Sequence, residues 1–522
     1  MDYRAQTHKL LQEIGPGRMR STAYDTAWIA RLAETGEPIG VQALDWLREN
    51  QLPDGSWGAR EVHYYHDRLI STLAAMTALG RCGNGKDQDR LQRAKLGLDI
   101  LVRGLRADPV GETVGFEMIA PSLLTEVNAI GLVKRRSDND LLRLGYPFHD
   151  EQPAACSGDQ RHRFDDHTMN HFGDRRSKKL QMLPRGKINR HVTIAFSAEM
   201  VGTDGLPLLD IDNLQESNGS VGHSPSATAH FVLHVKPGEP AALDYLRQTV
   251  QENADGGGTP DVAPFDNFER AWTLWNLSLP FGLMDDETLA LCQPHLDFLE
   301  KAWKPGAGVG FAADYSPKDG DDSGLVFDVL ARYGRLMDIE TILSYENEDH
   351  FRCYTLESNP SISANIHVLG ALQQAGFEAR HPAVRKIVNF LRQTRYLGMF
   401  WFDKWHASPY YPTTHAIIAA DTYDRDMLCR AVEWILATQN SDGSWGYYTP
   451  SAEETAYCLQ ALFIWKRGGN PIPNEAIRRG LGWLQAHSEP PYPPLWIGKS
   501  LYAPTLVVRS AILSALLLGE QE

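Results

Sequence analysis

Long apolar runs are missing from this sequence: none approaches the 18 or so apolar residues that a membrane-spanning helix needs. Cysteine is scarce, six in 522 residues with no CxxC pair, which excludes a thiolate zinc site and a disulfide framework and fits a reducing compartment. Positive charge is short and scattered, 51 Lys and Arg against 66 Asp and Glu for a net charge of -15, which argues against a nucleic-acid surface and against attraction to anionic lipid. The start, MDYRAQTHKLLQEIG, is polar and amphipathic rather than basic-then-apolar, so a cytoplasmic protein with a small-molecule partner is expected. Strand-like alternation is sparse as well. The length exceeds that of one ordinary domain, so two or more domains and room for a large cavity are expected.

What is present is a repeat. Residues 43–58, ALDWLRENQLPDGSWG, and residues 431–446, AVEWILATQNSDGSWG, agree at eight of sixteen positions across a separation of 388 residues. Weaker copies begin at residues 241, 295, 387 and 481, each an aromatic-Leu helix ending in a Gly, Pro or aromatic turn. The unit is a helix hairpin repeated around a ring, and the fold class predicted is all-α, built from helical barrels. In this reading Gln51 and Gln439 cap helix ends while Trp57 and Trp445 pack beneath them, a structural role rather than a catalytic one. Residues 150–178 break the pattern: they are polar and low in aliphatics, the mark of a long exposed loop despite Asp165, Asp166, His167 and His171.

The stretch SPKDGDDSGL places Asp319, Asp321 and Asp322 within four residues, just before an apolar run. One reading is a helix N-terminus, where aspartate caps and meets the dipole. The other is chemical. Three carboxyls this close do not all ionise cheaply in an apolar setting, so one holds a proton at neutral pH and, aimed into a dry aromatic cavity, protonates an alkene or epoxide. An EF-hand is excluded by the missing later glutamate. An inverting glycosidase on an α/α barrel and a lipid-binding helical repeat both fit the same composition.

SPKDGDDSG resembles the DxDD acid of class II terpene cyclases. STAYDTAWIARL (21–32), QLPDGSWG, GFEMIAPSLL (115–124), NGSVGHSPSATAHF (218–231), PFDNFERAW (264–272), ESNPSISANIHVL (357–369), DKWHASPYY (403–411) and LWIGKSLYAP (495–504) are similar, in the same order, to class II diterpene cyclases of the bacterial copalyl diphosphate synthase type. The resemblance implies two α-barrel domains, an inserted γ domain over residues 20–205 and a β domain over residues 1–19 and 206–522, with the active site between them. It implies Asp321 as the acid that protonates geranylgeranyl diphosphate, Asp319 and Asp322 as its supporters, and His367, with Asn365 as second choice, as the partner of the acid. Glu117 matches the family's Mg²⁺-linked glutamate. Lys404 matches a diphosphate-binding lysine, with Lys179 as a second. The aromatic cavity wall is expected from Trp272, Trp275, Phe400, Trp401, Trp405, Tyr410, Tyr411, Trp496 and Tyr502.

No DDxxD is present, since LMDDETL and RFDDHTM both fail at the last position, so the product is expected to keep its diphosphate and to pass to a class I terpene synthase. LLDIDNLQ (208–215) mimics the acid motif but ends in Asn213, which leaves Asp210 and Asp212 as helix-start residues. In plant ent-copalyl enzymes a His and Asn pair holds the water that takes the last proton; the matching positions are Phe196 and Asp261, so deprotonation is arranged differently. Farnesyl diphosphate as substrate, a rearranged halimane or clerodane product, and a monomer or homodimer remain open alternatives.

Overall fold

Helix Pro382–Thr394 illustrates how the fold is made. Ala383, Val384, Ile387, Phe390 and Leu391 recur at three- and four-residue spacing and are buried, while Arg385, Asn389, Arg392 and Gln393 face solvent. Such a helix covers a core from outside. Tyr410–Ala420, by contrast, is buried at every position, as a helix in an inner layer must be. The structure, a computed structural model, describes residues 2–133, 186–280, 285–355, 357 and 359–520. The polar segment 150–178 and Lys179 lie outside the described residues.

Six inner helices form a closed ring: Asp266–Ser278, Gly320–Arg332, Ile362–Gln374, Tyr410–Ala420, Ala452–Arg467 and Thr505–Glu520, each packed on the next and the last on the first. The outer layer comprises Tyr3–Glu13, Asp286–Ala302, Ile339–Leu343, Pro382–Thr394, Arg425–Ala437 and Asn474–Ala486. A second ring runs through Ala23–Ala30, Tyr65–Cys82, Phe116–Ala129, the turn segment Thr193–Val201 and Pro225–His230, which returns to Ala23–Ala30. Among the described residues the sheet structure is one short antiparallel pair, Trp496–Ile497 with Leu501–Tyr502. The all-α, two-toroid expectation holds.

The expected boundary at 205/206 falls elsewhere. Leu208, Val221, Phe231, Leu246 and Val250 are buried in the same core as Tyr24 and Trp57, because the first ring closes only when Pro225–His230 reaches back to Ala23–Ala30. The second core takes in residues 3–14 and resumes at Ala271.

The repeat carries the scaffold role assigned to it. Gln51 Nε2 donates to Gly55 O (2.8 Å) and Arg90 O (2.9 Å), and Gln439 Nε2 to Gly443 O (2.9 Å) and Ala476 O (2.8 Å). Trp57 Nε1 donates to Leu47 O and Trp445 Nε1 to Ile435 O, each ten residues back. Trp401 repeats this bond to Leu391 O at 2.8 Å. It is therefore a hairpin tie, not cavity wall as expected. Asp210 accepts from Asn213 Nδ2 at the short turn Ile211–Asn213, in keeping with its helix-start reading.

Candidate active site

The helix-start reading of the aspartates is realised. Asp319 is the N-cap of Gly320–Arg332, its Oδ1 accepting from the Asp322 backbone N–H at 2.7 Å. Capping places Asp321 and Asp322 in the first helical turn, at the wall of a chamber of about 330 Å³, within the usual range for a small-molecule site. Burial, reinforced by repulsion from Asp321, raises Asp319 to about 7. Burial, then repulsion from Asp319 and Asp321, holds Asp322 well above the ordinary carboxyl range.

Asp321 is held from the neighbouring inner helix, Ile362–Gln374. His367 Nδ1 lies 2.5 Å from its Oδ1, and Ser363 Oγ donates to its Oδ2 at 3.3 Å. This approach depends on Gly324: a Cβ there would lie 3.0 Å from the His367 backbone carbon, so the absent side chain lets the two helices close. The His367 ring meets Trp272 edge-on at 5.1 Å. Behind it His415 is kept neutral, its basicity lowered by burial and then by His367. Asn365, the second choice for this role, is engaged elsewhere. Its Oδ1 accepts from Phe351 N and its Nδ2 donates to Phe351 O and Ser361 O, so it pins the 351–361 loop.

Asp403 was not singled out in the sequence. Its carboxylate accepts from Ile362 N (2.8 Å), Ser363 N (3.1 Å) and Trp405 N (3.0 Å), so it fixes the start of the His367 helix, and it lies 3.1 Å from Ser363 Oγ, whose single hydroxyl proton is shared between Asp403 and Asp321. Its neighbour Lys404 forms an ion pair with Glu357, donates to Asn359 O, and is not part of the chamber lining. The DKWH sequence thus contributes its carboxylate to the site rather than its ammonium.

Of the expected wall, Trp272, Trp405, Tyr411, Trp496 and Tyr502 line the chamber. Trp275 does not: its Nε1 donates to Asp328 Oδ2 behind Trp272. Tyr410 and Phe400 pack on Trp434 outside the chamber. Sequence reading missed Phe265, Phe268, Phe311 and Tyr315, which complete the wall, and Phe196, noted only as a departure from the plant pattern. The aromatic run in PFDNFERAW was the available signal for Phe265 and Phe268. Val114, Gly115, Ile194, Ser197 and Met200 of the first ring supply the facing side, so the chamber lies between the two toroids. Glu117 sits in the first turn of Phe116–Ala129, two residues beyond Gly115 of the lining.

A carboxyl group held by imidazole and hydroxyl at the wall of an apolar chamber rich in π faces is an arrangement suited to proton donation to an apolar substrate with water excluded. Comparison with known proteins agrees. Residues 352–491 match the squalene-hopene cyclase C-terminal domain. The "Type B diterpene cyclase" of Mycobacterium tuberculosis is 44% identical over 97% of both chains, and the labda-7,13-dienyl diphosphate synthase of Streptomyces clavuligerus is 30% identical over 96% of this chain and 89% of its own. The solved structure of ent-copalyl diphosphate synthase from Streptomyces platensis superposes with a TM-score of 0.79 at 31% identity over the whole of both chains. The chain belongs to the class II diterpene cyclases. Among the described residues no helix is long and apolar enough to cross a membrane.

Proposed function

We propose that this cyclase protonates geranylgeranyl diphosphate and closes it to a bicyclic labdane-type diphosphate such as copalyl diphosphate, with the diphosphate group retained. The observation that carries the reading is Asp321, gripped by His367 Nδ1 at 2.5 Å and Ser363 at 3.3 Å in the wall of an aromatic chamber. The copalyl and labdadienyl synthases among its relatives support it.

Asp321 delivers its proton to the terminal alkene, and the carboxylate left behind is met by His367 and Ser363, donors already in place before the charge develops. Asp319 and Asp322, both held toward the neutral form, keep further negative charge away from the donor. The cation then moves among Trp272, Phe268 and Trp496, whose faces favour positive charge and whose bulk excludes water.

Mg²⁺ is expected to accompany the diphosphate. Glu117 is a single carboxylate near the first-ring side of the chamber, which suits a cation held mainly by phosphate oxygens and water; the described residues contain no group of three or more His, Cys, Asp or Glu able to hold a metal alone. Bound there, the ion would offset diphosphate charge. Lys404, committed to Glu357, is not carried forward as a phosphate ligand. A product that keeps its diphosphate needs an ionising class I terpene synthase downstream.

Incubation with C15 and C20 prenyl diphosphates and Mg²⁺, then phosphatase treatment and mass spectrometry, tests the reading. A bicyclic C20 alcohol from wild type is expected, with Asp321→Ala slowing its formation by about 10²–10⁴-fold while melting as wild type does. Linear alcohols alone, or a drimane from the C15 substrate only, would overturn it.

A further inference from the structure

The aromatic wall has a carboxyl group behind it that the proton donor does not use. Glu453 stands in the first turn of Ala452–Arg467, 0% exposed and outside the chamber lining. Its Oε1 accepts from Trp496 Nε1 at 2.7 Å and from the Tyr457 hydroxyl at 3.0 Å, and His406 Nε2 lies 3.4 Å away. Its Oε2 has no hydrogen-bond partner among the described residues. Several donors on one oxygen and a place at a helix start both favour the charged form of a carboxyl group.

That charge has no cation beside it. Among the described residues neither lysine nor arginine forms an ion pair with Glu453, and its one basic neighbour is His406. His406 Nδ1 accepts from the Ser408 backbone N–H at 3.1 Å, so the ring proton sits on Nε2, toward Glu453, and the imidazole is neutral. Other buried carboxylates near the two cores are matched: Asp328, behind Trp275, pairs with Arg332 at 2.7 Å, and Glu199 with Lys499 at 2.8 Å. Burying a carboxylate without a counter-ion is costly, and the cation formed in the chamber comes close enough to supply the missing charge.

Trp496 connects the two. One edge of its indole donates to Glu453, while the ring lines the chamber 5.5 Å from Trp272 and 5.2 Å from Phe268. Tyr411, also in the lining, stacks on His406 at 4.6 Å. Burial first, then the charges of Asp261, Asp322 and Glu453, raise the Tyr502 hydroxyl well above its usual range, so the field of Glu453 reaches the lining. A hydrogen bond from an indole N–H to a carboxylate pushes electron density into the ring, and a richer π face holds a cation more tightly. We infer that Glu453 is a positioning residue for the carbocation: its unmatched charge, acting through the Trp496 indole, draws the cation to the Trp272 and Trp496 side of the chamber. Glu453 exchanges no proton with the substrate.

The inference rests on the proposed cyclisation, and the test separates the two. Two unreactive analogues of geranylgeranyl diphosphate are compared by titration calorimetry with Mg²⁺ present. One carries a protonated tertiary amine in place of the carbon that becomes cationic; the other is saturated at the same alkene and neutral there. Wild type is expected to prefer the amine. Glu453→Gln, which keeps an oxygen for the donors and loses the charge, is expected to cut that preference by about tenfold while its affinity for the neutral analogue stays within about twofold. A merely structural role weakens both analogues alike. No preference in wild type, an unchanged preference in the variant, or equal weakening of both overturns the inference. If Glu453→Gln does not fold, Glu453→Met is scored by the same ratio. Failure of wild type to form any cyclic product from geranylgeranyl diphosphate sinks the cyclisation reading itself, before Glu453 is in question.

Discussion

Asp319 makes the proton economy of the site measurable by pH. Its ordinary value of 3.8 is raised to about 7 by burial, so between those values the native chain holds a proton that the unfolded chain has released. Stability therefore falls as pH rises from about 4 to about 7 and levels off above. Asp319→Asn keeps an oxygen to cap Asp322 and cannot ionise. Calorimetry should find it more stable than wild type at pH 8, by about 1–3 kcal/mol, with the gap narrowing at pH 5, while cyclisation slows. The same scale marks what the sequence makes legible. Asp321 and His367 could be paired because their spacing is written into two matching motifs. Lys404 and Asn365 could not be placed, because a polar side chain goes where a loop offers a partner: Glu357 captures the lysine, and Phe351 and Ser361 capture the amide.

Helices meet closely at the site, and one small residue sets the distance. Gly324→Ala inserts a methyl 3.0 Å from the His367 backbone, so Gly320–Arg332 and Ile362–Gln374 must separate by a few tenths of an ångström. The expected cost is about 1–3 kcal/mol in denaturant melts. Activity should fall further than that cost suggests, by about tenfold or more, since the contact between His367 and Asp321 widens with the helices. At this scale tryptophan was the ambiguous letter. WFDKW places Trp401 and Trp405 four residues apart, yet Trp401 is tied to Leu391 O and Trp405 lines the chamber. Composition cannot separate the two, because both are the same aromatic in one short segment; only the turn that carries Trp401, shared in geometry with Trp57 and Trp445, tells them apart.

For the molecule as a whole, the two toroids are locked through Lys499. It leaves the second domain on the Trp496–Tyr502 hairpin and ends, fully buried, on Glu199, Ser224 and Ser226 of the first core. Lys499→Met leaves Glu199 without its cation, and a loss of about 3–5 kcal/mol is expected in thermal or denaturant unfolding. Sequence reading missed this tie and also misplaced the domain boundary, since neither a ring that closes through Pro225–His230 nor a lysine crossing between rings leaves a periodic trace. The tryptophan and glutamine bonds of the hairpins have a wider consequence. None of Trp57, Trp401 and Trp445 belongs to the lining, so architecture and product shape are entrusted to different side chains. A lineage can remodel the mould around the cation, at Phe196 or Phe268 for instance, and inherit its framework untouched, which is how one ancestral body plan can yield many hydrocarbon skeletons.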